Sequence, residues 1–214
     1  MVTGAGKPVP AGEGVIVQRE LVLELVSTVR HVDFDGVDVL QSPQWATAWV
    51  NSVSGLLPAS VAPAQVGEDL RGQMVQLRWA VRSLFACAVR PGPPNPVDAH
   101  RLLSFEQALA CLNAMAGRLV VRPRLHWVAE GAEPPRIELD PLSQEPTVQL
   151  EAALARASMC FLSGPLRARL RACTAPRCVR YFVRSHGSQR WCCVFCGNRA
   201  RAARHYRRHG PARV

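Results

Sequence analysis

Five of the eight cysteines in this 214-residue chain fall within 24 residues, from Cys173 to Cys196, and that segment contains no Asp or Glu. It has few apolar residues from which to build a core, and its arginines repel one another, so it needs a staple. The cysteine spacing supplies one. Cys173 and Cys178 form a first pair with four residues between them; about a dozen residues on, Cys196 pairs with Cys192 (three between) or with Cys193 (two between). Short-range pairs let one turn of chain present two thiolates at once, and zinc takes four such ligands in a tetrahedron. In a cytosolic chain such a cluster indicates metal rather than disulfide. Four protein ligands leave no open position for water, so the expected Zn2+ is a single structural ion, whose binding contributes on the order of 10 kcal/mol to folding. His186, His205 and His209 are alternative ligands that four cysteines make unnecessary. Cys87, Cys111 and Cys160, scattered among apolar neighbours, read as small buried hydrophobes.

The charge is as segregated as the cysteines. Residues 1–151 carry 12 Lys/Arg against 16 Asp/Glu, whereas residues 152–214 carry 14 Arg and no acid. So one-sided a field attracts a polyanion. The chain has no run of roughly 18 apolar residues, so no membrane span is expected. It also shows no apolar stretch after a basic start, which excludes a signal peptide and leaves a cytoplasmic, nucleoid-associated location as the expectation.

Periodicity divides the chain into an unstructured tail (1–14), a mainly helical domain (15–165) and a cysteine module (166–214). VIVQRELVLELVSTV reads as a helix. A second follows Ser42 as N-cap, with Pro43 in the first helical position and Gly55 as its end. Leu70, Met74, Leu77, Val81 and Leu84 mark one face of a long third helix. RPGPPNPVD is a loop. Ser104 caps a fourth helix that Gly117 stops. LVVRPRLHWVAEGAEPPRIELDP alternates and predicts two strands around a turn near Glu130–Pro135, and TVQLEAALARASMCFLSG returns to helical spacing, carrying the chain into the cysteine module without a flexible linker. Within that module, VRYFVRSHGSQRW predicts a hairpin with SHGS as its turn, and the second cysteine pair runs into a helix. The expected fold is α+β: a mainly α-helical N-terminal domain with a small β-hairpin, then a treble-clef- or ribbon-like four-cysteine zinc finger ending in a basic helix.

Arg190-Trp191-Cys192 and Cys196-Gly197-Asn198-Arg199, followed by basic residues, resemble the signature of the CGNR zinc finger family, and Phe182 after the first pair fits it. The resemblance implies Cys192 as third ligand, because the family's tryptophan is followed directly by it; the implied set is Cys173, Cys178, Cys192 and Cys196. Upstream, LVLELVSTV, the proline-led helix with Trp49, and LRWAVRSLF resemble the ABATE domain that precedes this finger in proteins described as stress-induced transcriptional regulators. Ser27 departs from the asparagine common there. The resemblance implies a ligand-sensing pocket near Arg78 and Arg82; read from the residues alone, these are a surface arginine pair.

RARAARHYRRH after Asn198 is a basic helix, stopped at Gly210-Pro211. Arg201, Arg204 and Arg208 share a face, which Arg199 and Arg207 widen, and a stripe of one sign on a zinc knuckle suits phosphate. Arg190 and Asn198 complete the candidate nucleic-acid contacts, with Asn198 read as the helix N-cap; Trp191, Tyr181 and Phe182 are read as packing around the zinc. The expected function is a DNA-binding transcriptional regulator, its partner double-stranded DNA, its N-terminal domain sensing a small-molecule effector or forming a homodimer. The alternatives are an adaptor that binds RNA polymerase or another protein through the finger, and an RNA-binding protein. A metal-dependent nuclease would need a His/Asp/Glu constellation near the helix, and residues 152–214 contain no acid, so no enzyme is expected.

Overall fold

The structure is a computed structural model that describes residues 11–30, 37–58, 61, 65–89, 98, 100–131 and 134–209. Residues 1–10 of the expected tail, most of the proline-rich loop and the Gly210-Pro211 stop lie outside these residues.

Five helices carry the core. Helix α1 (Ala11–Val26) takes in the last four residues of the segment read as a tail, and buries Leu21, Val22, Leu25 and Val26 along one stripe. Helix α2 (Pro43–Ser52) begins as its sequence dictates: the Ser42 hydroxyl accepts from the Trp45 backbone N–H at 3.4 Å, and Pro43, which has no N–H, costs nothing at a first helical position whose N–H would lack a helical partner. It ends before Gly55, in a short 3₁₀ turn.

Helix α3 (Glu68–Ala88) runs through the middle of the molecule with every residue of its predicted apolar face buried. Covering a leucine as completely as Leu77 contributes roughly 1.5–3 kcal/mol. Helix α4 (Phe105–Gly117) opens with a capping box: Ser104 Oγ accepts from the Gln107 N–H, and Gln107 Oε1 accepts from the Ser104 N–H, each at 3.1 Å. Helix α5 (Pro146–Ser163) packs on α1, α3 and α4, with Phe161 5.2 Å from the Phe85 ring.

Among the described residues, three antiparallel pairs complete the fold. Strands β1 (Val29–Arg30) and β2 (Val37–Asp38) form a minimal pair that brings Asp38 to α3. Strands β3 (Val121–His126) and β4 (Arg136–Pro141) are the hairpin expected from alternation. The third pair corrects the sequence reading. Strand β6 (Tyr181–Val183) turns back onto β5 (Leu170–Ala172), so the loop closing this hairpin is the first cysteine pair itself, not SHGS. Ser185–Ser188 does turn, but no strand forms after it. The reason is local: the Cys173 N–H donates to the Arg180 carbonyl at 2.9 Å and the Arg184 N–H to that of Arg169 at 2.9 Å, which extends the ladder around the knuckle.

The finger is not a bead on a string. Leu170 and Tyr181 are buried in the main core beside Phe85, Leu154 and Phe161. Arg78 and Arg82 are likewise wholly buried, which corrects the surface-pair reading. The Arg78 guanidinium pairs with both carboxylate oxygens of Asp38, at 2.5 and 2.7 Å, and donates to Thr28 Oγ at 3.1 Å. Arg82 donates from Nε to Asp98 at 2.7 Å and from Nη1 and Nη2 to the carbonyls of Val26 and Val179, at 2.5 and 3.0 Å. Of the scattered cysteines, Cys160 is exposed, and Cys87 and Cys111 are only partly covered.

Candidate metal centre and nucleic-acid interface

The second cysteine pair is positioned by helix α6 (Val194–His209), whose first turn holds Cys196. The first pair sits in the β5–β6 loop. There Arg177, immediately before Cys178, adopts a left-handed backbone (φ 59°), a conformation a side chain disfavours by about 1–2 kcal/mol. The four sulfurs of Cys173, Cys178, Cys192 and Cys196 lie within 4.8 Å of one another. Separations of 3.8 Å (Cys178–Cys192) and 3.5 Å (Cys192–Cys196) match the edges of a tetrahedron built on bonds of about 2.3 Å to zinc. Cys193 is outside the group, exposed, with its sulfur 4.0 Å from that of Cys192.

Electrostatics make the same point. Cys173 is held far below the usual thiol range by hydrogen bonds from Cys178 and Cys192, and those contacts push Cys192 far up. Burial together with the neighbouring cysteines pushes Cys196 up to about 12. Four thiolates this close would repel one another, and a divalent cation among the sulfurs would offset that repulsion. The fit is good, and the cluster can hold one zinc ion. The Cys192 backbone N–H points at Cys173 Sγ (3.4 Å) and Arg199 at Cys196 Sγ (3.5 Å), donors suited to thiolate charge.

Around the sulfurs lies a small core of Ala175, Phe182 and Ala200, with Trp191 and Cys192 packed on it. Gly197 admits the indole: a Cβ there would stand 3.2 Å from Trp191 Cε3, tighter than ordinary contact. Arg204 lies over the indole as well, 5.9 Å from its centroid. Tyr181 is not part of this small core and packs in the main one.

All seven candidate nucleic-acid residues, Arg190, Asn198, Arg199, Arg201, Arg204, Arg207 and Arg208, are exposed to solvent. Asn198 is not an N-cap, because the second cysteine pair leads directly into the first turn and α6 starts four residues earlier; its side chain accepts from Arg201 within the helix. Two features escape sequence reasoning. Val194 and Phe195 at the start of α6 are 75% and 83% exposed. Beside the cluster, Arg30, Arg177, Arg180 and Arg199 line a cleft of about 330 Å³ with Phe195. Only the composition of the finger hints at the cleft, and nothing in the sequence places Arg30 next to it.

No helix among the described residues is long and apolar enough to cross a membrane. The profile of the ABATE family, described as "Putative stress-induced transcription regulator", matches residues 19–165, and that of the CGNR zinc finger matches residues 169–209. Neither description is of an enzyme. A search of curated proteins finds no match. With well over half its length matched by the first profile and the cysteine cluster formed within the second, the chain belongs to the ABATE family and carries a CGNR zinc finger.

Proposed function

We propose that the chain regulates transcription by binding double-stranded DNA through α6, on a finger stapled by zinc at Cys173, Cys178, Cys192 and Cys196. The observation that carries this reading is the row of Arg199, Arg201, Arg204, Arg207 and Arg208 on one helix, in a stretch with no acidic side chain to neutralise them. Bound zinc supplies folding free energy and fixed geometry, and no chemistry. A helix of 16 residues is about 24 Å long and, with side chains, roughly 10–12 Å wide, which suits a major groove about 12 Å across. The arginine-lined cleft favours a phosphate beside the helix, with Arg30 contributed by the helical part. Arg190 and Asn198 flank the surface, and the N-terminal domain senses an effector or assembles the protein. At Arg78 or Arg82 an effector would have to displace Asp38 or Asp98; we assign both arginines to positioning instead.

A salt titration of duplex binding tests this. Replacing Arg201, Arg204 or Arg208 by alanine should lower the log–log slope by about one for each phosphate that the arginine neutralises. Absence of duplex binding at about 50 mM salt, where phosphate contacts are strong, overturns it. A second reading, an adaptor for RNA polymerase or another protein, has Val194, Phe195 and Tyr206 in its favour, since these exposed apolar side chains suit a protein surface. Retained polymerase capture without duplex binding selects it, and preference for single-stranded RNA over duplex DNA selects an RNA-binding role.

A further inference from the structure

The β3–β4 hairpin is built inside out. Its register puts Val121 opposite Pro141, Pro123 opposite Leu139 and Leu125 opposite Ile137 on one face. On the other face Arg122 stands opposite Asp140, Arg124 opposite Glu138 and His126 opposite Arg136. Successive side chains alternate, so one face is wholly apolar and the other wholly polar. A hairpin that served only its own domain would turn the apolar face to the core.

Here that face is the open one. Leu125 is 62%, Ile137 70% and Leu139 58% exposed, and Trp127, next in the alternation, is 68% exposed. The charged face is the better covered, because its members pair: Arg124 with Asp140 at 2.8 Å, His126 with Glu138 at 2.8 Å and Arg136 with Glu138 at 3.1 Å. None of the four open apolar residues belongs to, or packs against, a core cluster among the described residues. Both strands are edges of a two-stranded sheet.

Such an arm is marginal in water on its own, and its open edges and apolar face invite a cover. Charge and area say what kind. The cations of the arm are largely answered by its own acids, so it has little field to draw a polyanion or a strongly charged protein. An interface core free of charge is characteristic of homodimers, and an apolar face complements its own copy about a two-fold axis without setting like charges together. The four residues expose on the order of 500 Å² per copy, within the range of about 300–600 Å² for the largest apolar patch on a typical monomer. Two such faces bury up to about 1,000 Å² in total, the level that a biological interface should clear.

We propose that this arm is a dimer interface, in which Leu125, Trp127, Ile137 and Leu139 of two copies pack face to face. The proposal stands whether or not α6 binds DNA.

Sedimentation equilibrium of the zinc-loaded full chain tests it. The mass should rise toward twice 23.4 kDa with concentration. Ile137→Glu and Leu125→Glu should each hold the chain at the monomer mass with unchanged helical circular dichroism and zinc content. Arg124→Ser, on the charged face, should leave the dimer intact and controls for damage to the hairpin. A wild-type chain that stays at 23.4 kDa overturns the proposal. A dimer that persists in folded Ile137→Glu overturns it as well, by placing the interface elsewhere.

Discussion

The Tyr181 hydroxyl, carried by the finger, donates a 2.8 Å hydrogen bond to the buried carboxylate of Asp98 in the helical part. Arg82 holds the same carboxylate, lies 5.1 Å from the Tyr181 ring and donates to the Val179 carbonyl just before the finger strand. One buried cation, one buried anion and one phenol thus join the two matched regions.

Breaking this junction should be expensive. Removing either Arg82 or Asp98 as alanine leaves the other charge buried and alone, a loss of about 3–5 kcal/mol. Tyr181→Phe removes only one donor from a carboxylate that keeps Arg82, and should cost about 1–3 kcal/mol. Urea unfolding of the zinc-loaded protein measures all three. Equal losses for Tyr181→Phe and Arg82→Ala would contradict the assignment.

The junction also sets a pH limit. Burial, and then the Asp98 charge, raise Tyr181 well above the ordinary phenol value of 10.0. A phenol that must stay protonated in the folded state contributes fully below pH 10, and that contribution disappears as pH climbs through the folded value. Asp38 behaves oppositely: burial pushes it up, but the Arg78 hydrogen bond and charge outweigh that and set it below 3.8. Its contribution is present above 3.8 and fades as pH falls through the lower folded value. Tyr181→Phe should therefore flatten the alkaline limb of a stability–pH curve and leave the acid limb unchanged.

Gly197→Ala should disturb the finger without touching a sulfur. The new methyl meets the Trp191 ring at 3.2 Å, and overpacking of this kind costs about 1–3 kcal/mol. A lower midpoint for zinc release against a competing chelator, with a change in Trp191 emission, is the expected result.

Arg177→Gly should separate stability from binding. It relieves a left-handed backbone, a gain of about 1 kcal/mol in the folded finger. It also removes one of the four arginines at the cleft, so the salt slope for duplex binding should fall by about one. A variant that is more stable and binds DNA unchanged would exclude the cleft from the interface.

Cys193→Ser should retain one zinc per chain, whereas Cys173→Ser and Cys196→Ser should not. The decisive measurement is zinc stoichiometry after gel filtration. Retained stoichiometry in Cys196→Ser would refute the ligand set.

Helices α2 to α5 are legible in the sequence because their signals are local: Ser42 and Ser104 as caps, Pro43 at the start, and an apolar stripe every three to four residues. The β3–β4 hairpin is legible for the same reason, through its alternation. What escapes depends on distant partners. Strands of three residues such as β5 and β6 carry too little pattern to name their mates, so alternation pairs the chain after Tyr181 forward when it pairs backward. Arg78 and Arg82 border an apolar stripe, where arginines ordinarily reach water. Their burial rests on Asp38 and Asp98, 40 and 16 residues away, and nothing near either arginine announces an acid. Asn198 reads as a cap only until the cysteine pair is seen to lead straight into the first turn of α6.

The burial of Leu170 and Tyr181 bears on portability. Zinc modules are commonly treated as cassettes, to be cut out and fused to new partners. Severed near residue 166, this one would leave with an aliphatic and an aromatic face stripped of their cover, and would leave behind an arginine–aspartate pair opened to water. The finger and its mount are machined as one piece, and any chimera has to carry the seat in α3 along with the finger.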